Sequence, residues 1–143
     1  MSKSNLHENA YLKLIFQNIA MANIGDSAGI QPSAGSGSLY IALYSTDPTD
    51  TDSGTEALYT GYARVSIVRS AVGWTVTDNV AYNASEALFP VSTGGVDTLT
   101  HFGILTASTG GDLIGSGLLT GAIEVNPGDT PRFGPNLVSV TED

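Results

Sequence analysis

The sequence predicts an all-β fold, a single-domain β-sandwich of jelly-roll type, preceded by one N-terminal α-helix. Three observations carry this expectation. Charged residues make up only 13% of the chain, against about 25% in an average soluble domain, and Gly, Ser and Thr take their place. Short apolar or alternating runs recur down the chain, separated by Gly-, Asn- and Asp-containing turns, the pattern of about eight strands in a sandwich, jelly roll or small barrel. Only one segment, near the N-terminus, has helical periodicity. A length of 143 residues suits one domain with a real core. The expected layout is a helical arm over 1–25, a Gly/Ser-rich connector over 26–38 and the sandwich over 39–143.

The helical segment is SNLHENAYLKLIFQNIAMANIG, Ser4–Gly25. Asn5 can cap it and Glu8 follows three residues later in a capping-box arrangement. Leu12, Ile15, Phe16 and Ile19 form an apolar stripe at i, i+3, i+4 and i+7, and Gly25 is a natural stop. This stripe is the expected contact surface, either on the chain's own sheet or on a neighbouring subunit. GDSAGIQPSAGSGS then reads as a loop.

The strands follow in order. Leu39–Ser45 is apolar on both faces, as a central strand is. Tyr62–Ser70 alternates. Residues 73–77 and 79–83 flank a tight turn at Asp78–Asn79. Residues 86–90 end at Pro90, as an edge or terminating strand does. Residues 98–107, 112–121, 122–128 and 136–141 complete the set. Between the first two of these, the glycines of ASTGGDL suit a hairpin loop; no lysine follows Lys13, so a Walker-type phosphate loop is excluded. Gly115 and Gly117 share a strand face and would let a backbone or an aromatic ring come close.

Chemistry-bearing residues are sparse. The net charge of −9 argues against nucleic acid and anionic membranes as direct partners. With no cysteine and only His7 and His101, thiol catalysis is excluded and the usual zinc spacings are absent. The Gly-x-Ser-x-Gly string at Gly25–Gly29, GDSAG, falls in the loop-like segment and not at the strand-to-helix turn that makes a nucleophile elbow. The one suggestive loop carries Asp47, Asp50, Asp52 and Glu56; these are the candidates for an irregular calcium site or for a carboxylate pair of a small hydrolase, against the plainer reading of a solvated turn. EF-hand spacing fails at Gly54 and Gly61. No cofactor is expected. Tyr40, Tyr44, Tyr59, Tyr62, Trp74 and Tyr82 fall in or beside strands, where they serve either the core or a subunit interface.

The segments YAR (Tyr62–Arg64), THFGI (Thr100–Ile104) and GDTPRF (Gly128–Phe133), with the strand at Tyr40–Leu43, the acidic turn at Asp47–Pro48, Asn83 and Phe89–Pro90, resemble in order a family of small tailed-phage virion proteins, members of which are labelled tail-fibre-like or serve as head decoration (cement) proteins. The resemblance spans nearly the whole chain; one departure is GGVDTL, where the family often carries Trp-Gly. It implies a β-sandwich and a non-enzymatic virion role. A long fibre needs repeats or an extended shaft, and neither is visible. The expectation is therefore a decoration subunit, made in the host cytoplasm and seated on the outer surface of the capsid. Its partners would be the major capsid protein and itself, as a homodimer or homotrimer. The alternatives are a tail-associated receptor- or carbohydrate-binding protein, and the small hydrolase using the Asp47–Glu56 loop.

Overall fold

The computed structural model describes residues 1–143. The chain is mostly β, with three sheets and one short N-terminal helix, as its composition and turn spacing predict. It divides into two compact units: residues 1–38, 67–86 and 134–143, and residues 39–66 and 87–133.

In the first unit, helix α1 (Asn5–Gln17) packs on β3 (Trp74–Thr77) and β4 (Val80–Asn83). Leu12 and Phe16 are fully buried, and the Phe16 ring meets Trp74 edge-on at 4.7 Å between centroids. Trp74 lies wholly inside, its indole N–H without a hydrogen-bond acceptor in the protein. The helix departs from expectation at both ends. Ser4, not Asn5, is the N-cap, and no side chain caps the first turn; Ser4 Oγ instead meets His7 Nδ1 at 3.1 Å, and Glu8 is buried rather than closing a capping box. The helix stops at Gln17 because Asn18 takes the left-handed conformation (φ 57°) and its N–H closes on the Lys13 carbonyl, a role Asn fills when Gly is absent. Asn18 then brackets Ser33, donating to its carbonyl and accepting from its N–H at 2.9 Å each. Arg69 ties the same loop to the helix end: it donates to the Leu14 and Ile15 carbonyls at 2.7 and 2.6 Å and to the Ser36 carbonyl at 3.2 Å.

β3 and β4 form the expected hairpin, with Asp78 at φ 52° in the turn, and β9 (Ser139–Thr141) completes this sheet beside β4. Asn83 is the node beneath it. The side chain is completely buried; its amide donates to the Ser85 and Gly134 carbonyls and its carbonyl accepts from the Val138 N–H, at 2.8 to 2.9 Å.

The second unit holds β1 (Ser38–Tyr44), β6 (Asp97–Leu105) and β7 (Leu113–Val125), and β2 (Val65–Val68) starts in it; together they run β2-β1-β6-β7. β1 is apolar on both faces and its last four residues are buried, which fits its central place. The β6–β7 pair is antiparallel and Gly110 and Gly111, both at positive φ, lie in its loop. The turn is a hairpin, as the glycines predict. Two details differ. Residues 122–125 continue β7 rather than starting a new strand, and the β6–β7 register breaks between Leu99 and His101, inside the run 98–107 that reads as one unbroken strand. Gly117 lies opposite Phe102, and a Cβ there would stand 2.7 Å from the ring; the small residue makes room for the aromatic face. β5 (Ala87–Leu88) pairs with β8 (Arg132–Phe133), and Phe133 brings its ring edge to both Phe89 and Phe102.

Candidate functional site

The densest cluster of polar chemistry lies in the second unit, on the segment Glu56–Arg64 and the β6–β7 loop. Arg64 donates from Nε to Glu56 Oε1 at 2.7 Å and from Nη2 to Oε2 at 2.8 Å, a bidentate fork. Its Nη1 reaches the carbonyls of Ala107 and Gly110 at 2.8 and 2.7 Å. The Tyr62 hydroxyl donates to Glu56 Oε1 at 2.7 Å and accepts from the Leu43 N–H at 3.1 Å. Only 8% of the Arg64 side chain is exposed. A groove of about 350 Å³ is lined by Glu56, Tyr62, Arg64 and the loop residues Ser108 to Gly110.

The electrostatics follow from the bonds. Burial pushes the Glu56 carboxyl up, but hydrogen bonds from Arg64 and Tyr62 and the guanidinium charge outweigh it, so the carboxyl is held below the usual carboxylate range. The bond to Glu56 raises Arg64. Tyr62 is pushed far above the ordinary phenol range, first by burial and then by its bond to Glu56. Tyr44 moves the same way, by burial and by the Asp52 carboxylate that accepts its hydroxyl at 3.0 Å. Each group is fixed in one protonation state through the neutral range. A general acid or base needs a pKa near the working pH, and this set is tuned away from it; its chemistry is that of a clamp on the β6–β7 loop.

The acidic loop does not converge. Asp47 accepts from the Thr49 N–H at 2.9 Å in a local turn, Asp52 holds Tyr44, Glu56 holds Arg64 and Tyr62, and Asp50 is exposed. No three acidic or histidine side chains gather in a geometry that could hold a metal ion. The sequence predicts the residues as a set because they are adjacent; the fold pulls them apart because each serves a different backbone or ring partner. His101 bonds Thr100 Oγ1 through Nδ1 at 2.8 Å, with Nε2 3.9 Å from Asp47, and no serine joins them.

The remaining motif pieces have structural assignments. In GDTPRF, Asp129 accepts from the Asn126 N–H at 2.8 Å, Pro131 accepts from the Phe89 N–H at 3.0 Å, and Phe133 fills the space beside Phe89. Tyr44, Tyr59 and Trp74 are core. Of the predicted contact stripe, Leu12 and Phe16 face the interior, Ile15 is half-buried and Ile19, past the helix end, is 46% exposed. A second groove of about 300 Å³ runs between α1 and residues 20–23, lined by Leu6, His7, Lys13 and Met21 among others.

The sequence missed two groups. The Glu56–Arg64–Tyr62 network was traceable only in that two of the five cations, Arg64 and Arg69, sit in one strand-like run of an acidic chain. Asn83 gave no sign of being a buried node, since the groups it joins lie as far as 55 residues away.

No curated protein matches the chain. Residues 2–141 match the family model described as podophage GP4 fiber I protein gp80, and the matched span contains the YAR, THFGI and GDTPRF segments assigned above. The chain therefore belongs to the podophage GP4 fiber I protein gp80 family and is a bacteriophage virion structural protein.

Proposed function

We propose that the chain is a non-enzymatic subunit of a fibre assembly on the virion, a β block that contributes contact surface rather than chemistry. The observation that carries this reading is the family match across residues 2–141. The Glu56–Arg64–Tyr62 network supports the absence of catalysis, because its donors and acceptors are occupied by one another and by backbone. Antibodies to the protein, carrying gold and applied to intact particles, test it. Labelling at the fibres or the tail supports the reading; labelling spread evenly over the head overturns it.

A second reading is a decoration subunit on the outer surface of the capsid, bound to the major capsid protein. It is favoured by the lack of any repeat or shaft-forming segment in the sequence and by a net charge of −9 that would complement basic seams on a shell. The same labelling experiment separates the two. Binding of host carbohydrate by a fibre subunit is a finer form of the first reading, and a glycan array checks it.

A further inference from the structure

We infer that the groove between α1 and residues 20–23 docks an acidic peptide segment of another protein, one that presents an apolar side chain beside a carboxylate. The groove follows from how α1 is used. Its buried face is Glu8, Leu12 and Phe16, which leaves Leu6, Ala10 and Lys13, at i, i+4 and i+7, along a second stripe. Past the helix end the chain returns, and Ala20, Met21 and Ala22 form the opposite wall. The three alanines keep the cleft open, while Leu6 at its rim is 76% exposed. A volume of about 300 Å³ lies at the small end of ligand pockets; it takes a side chain or two, not a cofactor.

Charge selects the occupant. Five Lys and Arg stand against fourteen Asp and Glu, and four of the five cations are engaged. Lys3 pairs with Glu142 and Arg64 with Glu56; Arg69 holds backbone carbonyls, and Arg132 is engaged as well. The Lys13 ammonium has neither an ion pair nor a hydrogen bond in the chain, and no Asp or Glu lines the groove with it. In a chain of net charge −9, this is the place where an incoming carboxylate meets an uncommitted cation. The backbone makes the occupant a peptide. Met21 exchanges both of its backbone hydrogen bonds with Ile30, at 2.9 Å each, while the N–H and C=O groups of Ala20 and Ala22 bond nothing in the chain. An extended segment laid along this wall satisfies them, which a fatty carboxylate does not. The flexible thioether of Met21 adapts to the apolar side chain that enters.

Nuclear magnetic resonance of the isotope-labelled full chain tests the site. The probes are acetylated, amidated hexapeptides of Gly and Ser that carry Leu, Met or Phe next to Glu, a matching set with Lys in place of Glu, and sodium octanoate. The Glu peptides should move the amide signals of Ala10, Lys13, Ala20 and Ala22, and the Lys peptides should not. Lys13→Glu should weaken binding by about tenfold or more, and Ala10→Phe, which fills the cleft from the helix side, should remove it. Lys3→Gln, a cation outside the groove, should change nothing. Circular dichroism of each variant checks that α1 is intact, and the peptide-charge comparison on the wild type needs no variant to fold. Glu peptides that leave these amides unmoved at millimolar concentration overturn the inference. So does equal binding of the Glu and Lys peptides, or binding that survives both Lys13→Glu and Ala10→Phe. Octanoate that moves the same amides when the peptides do not would assign the groove to a small carboxylate and overturn it as well.

Discussion

Arg64 and Glu56 meet as fork on fork, with both guanidinium-to-carboxylate distances at 2.7 to 2.8 Å, and the third nitrogen of the same guanidinium holds two carbonyls of the β6–β7 loop. One side chain thus pins a long hairpin to the segment before β2. Arg64→Ala would leave the Glu56 carboxylate and two loop carbonyls without their donor. Truncating one partner of a largely buried pair costs about 2–4 kcal/mol, and urea unfolding should show a loss of that size. Arg64→Lys should recover only part of it, because an ammonium cannot reproduce the fork.

Acid should weaken the fold partly through Glu56. Its folded pKa is depressed below an unfolded value of about 4.3. The stabilisation it provides is therefore complete above that pH and is lost as pH falls through the folded value. Thermal melts from pH 6 down to pH 3 should fall steeply in the wild type. Glu56→Gln should start lower and decline less over the same window; an identical slope in both would assign the acid sensitivity to other carboxylates.

How much of this could be read in advance depended on how local each feature is. β1, the β3–β4 hairpin and the β6–β7 hairpin rest on short-range pattern and turn residues, and they formed where the pattern placed them. The helix end did not, because an αL Asn18 competes with the more obvious Gly25. β2 is shorter than the alternating run Tyr62–Ser70 because Tyr62 and Arg64 turn to Glu56 and the hairpin loop instead of extending the ladder. Asn83 and the Arg64 clamp depend on partners 43 to 55 residues distant, which periodicity does not register. The stripe of Leu12 and Phe16 was legible as apolar, while the surface it meets was set by tertiary packing.

Along β7, two glycines should respond in opposite ways. A Cβ at Gly117 would stand 2.7 Å from the Phe102 ring, so Gly117→Ala must displace an aromatic side chain and should cost about 1–3 kcal/mol. Gly121 has open space and an ordinary φ. Gly121→Ala should be neutral or stabilising by about 0.4–1 kcal/mol through the unfolded chain. Paired denaturation curves give both signs in one experiment.

The single tryptophan reports on helix docking. Phe16 packs edge-on against it and is buried with it, so Phe16→Ala should destabilise by about 3–5 kcal/mol and shift the Trp74 emission to the red. Ile19→Ala, at a 46% exposed position, should leave the emission unchanged.

A cryo-electron microscopy map of the intact virion is the most direct test of what this chain is for. The reading offered above requires its β block in density at a fibre. Density for the chain tiled over the head shell, against the major capsid protein and absent from the fibres, would contradict it.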